Sequence, residues 1–292
     1  MLPISRRHLL PLLAAPLAAA ATPNDFTFAL IGDRTGSARP QIYSRVFREV
    51  LLSHPAFAIT IGDAIEGLDD SKAPAQWAEM QALWATAKFP LRHTPGNHDI
   101  WSDSSAALFA QQAGHPPQHS FVHQNSLFVI LDNSRVEGLP PAQLAFLQKS
   151  LAANPHCHPK MVFLHKPFWI PQVAVRSRDF DLHRIAKRHG VTHIFSGHGH
   201  QLVHLESDGI HYTEIGSSGG SVDRGLLRGE GFRQGWFYHY FLLKVQAEQV
   251  TITVRELPPP HGLGRTFRLE QWTAAGPQFD PGDPALTDQP RL

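Results

Sequence analysis

Aspartate, asparagine and histidine side chains recur in this sequence at positions where they can bind metal ions. The densest group is Gly96-Asn97-His98-Asp99, which follows Pro95 and whose composition by itself is typical of a turn. Carboxylates, amide oxygens and imidazoles are the ligands that hard and borderline divalent cations prefer. The other candidate ligands are spread along the chain: Asp33, Asp63, His165, His198 and His200. Their types predict a metal centre if the fold brings them together.

Each candidate ligand follows a short apolar run of the kind that forms a buried strand. The runs cover residues 26–31, 57–61, 89–94, 161–164 and 192–195. Apolar residues three or four apart predict helices between them, near residues 42–53, 75–87, 104–112, 140–153 and 179–189. Strands that alternate with helices predict an α/β fold, in which strand ends converge at one edge of a sheet. We therefore expect the candidate ligands to meet at that edge.

The remaining strand-like segments predict a second sheet and a C-terminal extension. Residues 120–123 and 127–131 predict a hairpin that begins the second sheet. Four later segments predict antiparallel strands, and Ser207-Asp208-Gly209 predicts the turn between the first two: residues 202–205, 210–215, 237–245 and 250–256. Proline and glycine are frequent from residue 258 onward, so we expect residues 22–257 to form one domain and residues 258–292 a tail.

The N-terminal residues predict an export signal rather than part of the domain. Arg6-Arg7 precedes an apolar stretch from Leu12 to Ala21 that ends in small residues, the pattern of a twin-arginine signal over residues 1–21. The stretch is shorter than the roughly 20 residues that a membrane span needs, so no stable membrane anchor is expected. The predicted partner is the twin-arginine export machinery, and the predicted location is the bacterial periplasm or the medium.

Charge and cysteine content exclude several classes of protein. Removal of Arg6 and Arg7 leaves 24 basic and 25 acidic side chains, which provide no excess of positive charge for binding nucleic acid. The sequence has one cysteine, Cys157, so no intrachain disulfide can form. This fits a protein that folds in the reducing cytoplasm and is exported already folded, with its metal loaded before crossing.

Five short blocks in the sequence resemble the signature of the calcineurin-like metallophosphoesterase superfamily. They begin at Asp33, Gly62-Asp63, Gly96-Asn97-His98-Asp99, His165 and Gly197-His198-Gly199-His200, and they follow the same order along the chain as in that family. The resemblance implies a four-layer α/β/β/α sandwich of two mixed sheets flanked by helices. It also implies two divalent metal ions at the edge where the loops meet, with Mn, Fe and Zn all compatible with these ligands.

The resemblance assigns a role to each of these residues. Asp63 is expected to bridge the two ions. One site is completed by Asn97, His165 and His198, and the other by Asp33 and His200. His98 follows a ligand directly and is expected to protonate the leaving alkoxide, with Asp99 or Glu66 holding its ring.

The first block departs from the family pattern. Most relatives have histidine two residues after the first aspartate, but Thr35 stands there in this chain, so the first metal site lacks one strong ligand. Glu66, three residues after Asp63, either ligates the first ion or pairs with the catalytic histidine. Arg34 is a candidate for binding the substrate phosphate through its planar guanidinium group, with an ordinary surface position as the alternative.

Two functions of different class remain open from the sequence. The first is a metal-dependent phosphoesterase, acting on a phosphomonoester or a phosphodiester through a metal-bridged hydroxide with His98 as general acid. The second is a non-catalytic metal-binding or ligand-binding protein that retains the phosphoesterase scaffold. Retention of both His98 and Asp63 favours the enzyme, because a protein without turnover has no need of a general acid.

Overall fold

The computed structural model describes residues 24–222, 231–257, 264–273 and 276–277. The predicted export signal and most of the predicted tail lie outside these residues. No helix among the described residues is long and apolar enough to cross a membrane.

The first sheet begins with three parallel strands joined by helices. The strands are β1 (Asp25–Ile31), β2 (Ala58–Thr60) and β3 (Leu91–His93), and the connecting helices are α1 (Ile42–Leu52) and α2 (Ala73–Trp84). All three residues of β2 are buried, as expected for a strand covered on both faces. Helix α3 (Asp103–Ala113) then leads to the second sheet. Its N-cap is Ser102, whose hydroxyl accepts a hydrogen bond from the Ser105 backbone N–H.

The second sheet has six strands in the order β4-β5-β6-β7-β9-β8. Its strands and the helices that connect them are, in chain order, β4 (His119–His123), β5 (Ser126–Ile130), α4 (Pro141–Ala153), β6 (Lys160–Phe163), α5 (Trp169–Ala174), α6 (Asp181–His189), β7 (Val191–Ser196), β8 (Val203–Ser207) and β9 (Ile210–Glu214). Strands β5, β6, β7 and β9 are parallel, whereas the edge strands β4 and β8 are antiparallel to their neighbours. The hairpin that begins this sheet is as predicted.

Strand β9 is not antiparallel to both of its neighbours, which corrects the prediction from the sequence. It inserts between β7 and β8, so it is antiparallel to β8 but parallel to β7. The turn between β8 and β9 has positive φ at Asp208 (54°) and Gly209 (78°), which matches the twist of a two-residue hairpin. Helix α5 was not predicted, because it spans only six residues and contains Pro171.

The chain then returns to the first sheet as β10 (His239–Gln246) and β11 (Gln249–Glu256). Strand β10 is antiparallel to both β1 and β11. Strand β12 (Thr266–Arg268) then pairs with β11, and a short hairpin of β13 (Trp272–Thr273) and β14 (Gly276–Pro277) follows. The domain therefore extends beyond residue 257, where the sequence analysis places its end. Phe267, Leu269 and Trp272 bury their side chains against the inter-sheet core, so this part of the predicted tail contributes to the domain.

Three hydrophobic clusters define the layers. The inner cluster lies between the sheets and is rich in aromatic rings, including Phe28, Phe57, Phe128, Phe163 and Phe195. One outer cluster packs α1, α2 and α3 against the first sheet, and the other packs α4, α5 and α6 against the second. Two mixed sheets with helices on both outer faces confirm the predicted four-layer α/β/β/α sandwich.

Candidate metal centre

The parallel strands of both sheets deliver the candidate ligands to a shared edge. Strands β1, β2 and β3 are followed by Asp33, Asp63 and Asn97, and strands β6 and β7 are followed by His165 and by His198 with His200. Among the described residues, one group of three ligating side chains has atoms that all lie within 4.8 Å of one another: Asp63, His165 and His198. Residues more than 100 positions apart in the sequence thus meet at one point, as the sequence analysis predicts.

His165 lies at the centre of the cluster. Its Nε2 atom is 3.2 Å from Asp63 Oδ2 and 3.1 Å from Asn97 Oδ1. Its Nδ1 atom is 2.8 Å from the Ile61 carbonyl oxygen, to which it donates a hydrogen bond in the tautomer that leaves Nε2 facing the cluster. Burial by itself would lower the pKa of His165, but the carboxylates of Asp63 and Asp33 raise it to about 10. The cluster therefore favours a positive charge at this point.

Asp33 and His200 form the adjacent part of the site. His200 Nε2 is 3.4 Å from Asp33 Oδ2, which also accepts a hydrogen bond from the His198 backbone N–H at 2.9 Å. His200 Nδ1 is 2.6 Å from the Ser221 carbonyl oxygen, so this ring is oriented in the same way as His165. Asp33 Oδ1 is buried and has no hydrogen-bond donor among the described residues. A buried carboxylate oxygen without a donor is costly unless a cation lies beside it, so the residues present fit a metal ion.

The backbone at these ligands is strained. Asp63, His198 and His200 have φ values of 53°, 79° and 59°, in the left-handed region that side chains other than glycine rarely adopt. Each such residue costs about 1–3 kcal/mol, and strain of this kind concentrates at functional sites. This backbone conformation orients the side chains of Asp63, His198 and His200 at the site.

Two glycines beside the ligands are required by close packing. A Cβ atom at Gly96 would lie 2.1 Å from Asp63 Oδ1, and one at Gly62 would lie 2.4 Å from His165 Nδ1. Gly62 also has a φ of 109°. The glycines of the Gly62-Asp63 and Gly96-Asn97 pairs therefore let neighbouring loops approach the ligands closely.

His98 borders a groove beside the cluster. Its backbone N–H donates to Asp63 Oδ1 at 2.9 Å, and its Nδ1 atom is 2.6 Å from the Glu66 carbonyl oxygen. The ring is partly buried and lines a groove of about 790 Å³ together with His198 and His200. The main-chain carbonyl of Glu66, and not the carboxylate of Glu66 or Asp99, holds this ring, which corrects the expectation drawn from the sequence.

Asp99 has a different place from the one predicted. Its side chain is buried and accepts hydrogen bonds from the backbone N–H groups of Ala64 at 2.8 Å and Gly96 at 2.9 Å. Burial, followed by the charge of Asp63, raises the pKa of Asp99 to about 7. Asp99 ties the loop after β2 to the loop after β3, so it positions Asp63 and Asn97 instead of contacting the His98 ring.

Glu66 and Arg34 are not brought into the cluster. The Glu66 carboxylate accepts a hydrogen bond from the Ala38 backbone N–H at 3.1 Å and, like Asp33 and His200, Glu66 lies outside the ligand group of Asp63, His165 and His198. The Arg34 guanidinium donates to Glu79 Oε1 at 2.6 Å and to the Ala64 carbonyl at 3.1 Å. Arg34 therefore lies in a separate hollow against α2, and the structure does not support its predicted role as a phosphate clamp.

Sequence reasoning missed two residues that support the loops. Asn133 follows β5 and accepts hydrogen bonds from the His165 and Lys166 backbone N–H groups at 3.0 and 3.1 Å, while its own amide donates to the Lys166 carbonyl at 2.9 Å. Glu214, at the end of β9, is buried against Gly199, and burial raises its pKa well above the ordinary value. Both residues stand at or just after the end of a buried strand. The ligands were predicted from the same position, so this pattern could also have indicated Asn133 and Glu214.

The family model described as calcineurin-like phosphoesterase matches residues 26–202. The chain belongs to the calcineurin-like phosphoesterase family. Membership of this family supports a metal-dependent phosphoesterase activity, and the two sheets with the cluster at their shared edge agree with it. No match was found among curated protein sequences.

Solved structures with the same fold include both enzymes and a protein described by another role. A purple acid phosphatase from yellow lupin (Lupinus luteus) has a TM-score of 0.62 at 13% identity, with 85% of this chain and 54% of the lupin chain covered. A dimetal phosphatase from Danio rerio has a TM-score of 0.55 at 14% identity, covering 79% and 95%. GAP50, described as the anchor in the inner membrane complex of Plasmodium, has a TM-score of 0.59 at 14% identity, covering 88% and 90%. This chain thus spans about half the length of the lupin protein, and at these identities the likeness is one of fold.

Proposed function

We propose that this protein hydrolyses a phosphomonoester or phosphodiester with the help of two divalent metal ions and with His98 as the general acid. The observation that carries the proposal is the meeting of Asp63, His165 and His198 within 4.8 Å at the strand ends, beside a groove that His98 lines. Mn, Fe or Zn ions bound there would activate water and neutralise the charge of the phosphoryl group. Asp63, Asn97, His165 and His198 would hold one ion, and Asp33, His200 and Asp63 the other.

The protein's own contribution is to place a proton donor next to the leaving group. The Glu66 carbonyl accepts a hydrogen bond from His98 Nδ1, so the Nε2 atom of the imidazolium is the one that gives its proton to the leaving oxygen. The hydrogen bond from the His98 backbone N–H to the Asp63 carboxylate holds this residue beside the metal ligands. Binding of the ester and protonation of its leaving group thus occur on one rigid pair of loops.

A non-catalytic binding protein is the second candidate. Thr35 favours it, because this residue stands in place of a family ligand and leaves the Asp33 side of the site with fewer ligands. The fold is compatible with such a role, since it is shared with GAP50, which is described as an anchor. The two candidates differ in turnover: both bind metal ions, but only the enzyme releases phosphate or an alcohol from an ester.

Metal reconstitution tests the proposed function. The purified chain is stripped with a chelator, loaded separately with Mn, Fe and Zn, and assayed for metal content and for hydrolysis of alkyl and aryl phosphomonoesters and diesters. We expect no turnover from the stripped protein and recovery with at least one of these ions. A protein that binds two ions but releases no product from any ester would support the binding protein and overturn the enzyme.

The Asp33 side of the site is expected to hold its ion more weakly than the His165 side. Thr35 is fully buried, and its neutral hydroxyl is a weaker ligand for a divalent cation than the imidazole that most relatives have there, so it adds no strong ligand to Asp33 and His200. Glu66 is held by Ala38, so Glu66→Gln should leave the metal content unchanged, since glutamine also accepts that hydrogen bond. Thr35→His should instead raise the metal content toward two ions per chain after dialysis against limiting metal.

Elemental analysis of these proteins beside a Thr35→Val control distinguishes the explanations. Valine keeps the shape of threonine without adding a ligand, so it should bind metal as the wild type does. Loss of one ion in Glu66→Gln would show that Glu66 is a ligand. Two tightly held ions in the wild type after the same dialysis would show that the Asp33 side does not lack a ligand.

A further inference from the structure

The groove beside the metal centre contains a buried lysine. Lys166 lines the groove together with His98, His198 and Glu137. Its side chain is 11% exposed, and its ammonium group donates to Glu137 Oε1 at 2.8 Å. The ammonium group is therefore close to the residues that would face a bound phosphoester.

The position of Lys166 is fixed by the structure around it. Lys166 follows His165 directly, and Asn133 holds both residues through the three hydrogen bonds described above. Asn133 is itself buried. The backbone that carries Lys166 is thus held by the same side chain that positions a metal ligand, and the burial of the lysine side chain, which is 11% exposed, limits the conformations open to its ammonium group.

The two partners of the ion pair differ strongly in exposure. The Glu137 side chain is 86% exposed, compared with 11% for Lys166. A carboxylate that leaves such a pair regains its hydration, whereas a buried ammonium group without a partner is costly. Glu137 is therefore easily replaced by another anion, while Lys166 requires one.

We propose that Lys166 binds a second anionic group of the substrate, which takes the place of Glu137 when the substrate enters. This inference rests on the proposed function and specifies its substrate class: a phosphoester whose organic part carries another anionic group, such as a carboxylate or a further phosphate. Pro167, Phe168 and Pro171 line the same groove and provide an apolar surface for the organic part. The other carboxylate of the groove, Glu66, lies beside His98 and is held by Ala38, so it does not compete for Lys166.

Equilibrium binding tests this proposal without requiring turnover. The affinities of benzylphosphonate and 4-carboxybenzylphosphonate are measured by titration calorimetry on the metal-loaded full chain, for the wild type, Lys166→Met and Glu137→Gln. The wild type should bind the carboxylated compound about tenfold more tightly, as expected for one hydrogen bond between charged groups. Lys166→Met should bind the two compounds equally. Glu137→Gln should increase the preference, since it weakens the competing counter-ion.

The controls separate a specific effect from a general one. Lys149→Met removes an exposed lysine from α4 and should retain the wild-type preference. Glu137→Gln changes an exposed side chain and does not depend on whether the buried Lys166 variant folds. Equal affinities in the wild type, absence of binding of either compound, or a preference that persists in Lys166→Met would overturn the proposal. A preference that depends on Lys166 in a protein that hydrolyses no ester would uphold the anion site and refute the proposed enzyme.

Discussion

Asp63→Asn is expected to reduce the metal content of the protein and to lower its phosphoesterase turnover by about 10³-fold or more. Asp63 offers Oδ2 to the cluster at 3.2 Å from His165 Nε2, and the substitution replaces a charged carboxylate with a neutral amide. In the proposed enzyme, loss of the metal ions would remove several kcal/mol of transition-state stabilisation, and about 4 kcal/mol corresponds to a thousandfold change in rate. Asparagine also tolerates the left-handed backbone of this position, so the loop should keep its conformation.

The matched control is Asp179→Asn, which changes an aspartate whose side chain is 91% exposed and which pairs with Arg184 at the surface. An exposed ion pair contributes little to stability, so this variant should retain metal content and turnover. Elemental analysis and initial rates are measured on both variants and on the wild type. An Asp63→Asn protein with two bound ions and normal turnover would contradict the bridging role of Asp63.

His98→Ala is expected to lower the turnover of alkyl phosphoesters by about 10²–10⁴-fold, the usual contribution of general acid catalysis. An alkoxide is a poor leaving group and needs a proton, whereas a nitrophenolate leaves readily without one. The hydrolysis of 4-nitrophenyl phosphate should therefore fall much less. The hydrogen bond from residue 98 to Asp63 is made by the backbone, so it persists in the variant and the metal ligands should stay in place.

The ratio of alkyl to aryl turnover distinguishes proton donation from a structural effect. His156→Ala, which changes an exposed histidine in the loop after α4, should leave this ratio unchanged. Metal content is measured on the same samples. An equal decrease for both classes of ester, with metal content unchanged, would show that His98 acts in some way other than as the general acid.

The local pattern of the sequence was sufficient to predict the elements that carry the site. Apolar runs followed by aspartate, asparagine or histidine are recognisable from neighbouring residues, and parallel strands must end at a common edge. For this reason the positions of Asp33, Asp63 and His165 could be anticipated before the structure, together with the four-layer sandwich that the family resemblance implies. The local pattern also predicts the export signal, which stays a prediction because residues 1–21 lie outside the described part of the chain.

The roles of residues beside the ligands were decided only by the tertiary structure. Arg34 is adjacent to Asp33, yet its guanidinium group pairs with Glu79 on α2, because a side chain's neighbours in space are set by packing and not by sequence distance. Asp99 belongs to the family signature, yet its carboxylate joins two loops through backbone N–H groups. Asn133 and Lys166 are 33 positions apart, and the lysine's environment arises from contacts between two strand ends. Local sequence thus determines which strand delivers a ligand, whereas the direction and partner of each adjoining side chain depend on loops that meet only in the folded protein.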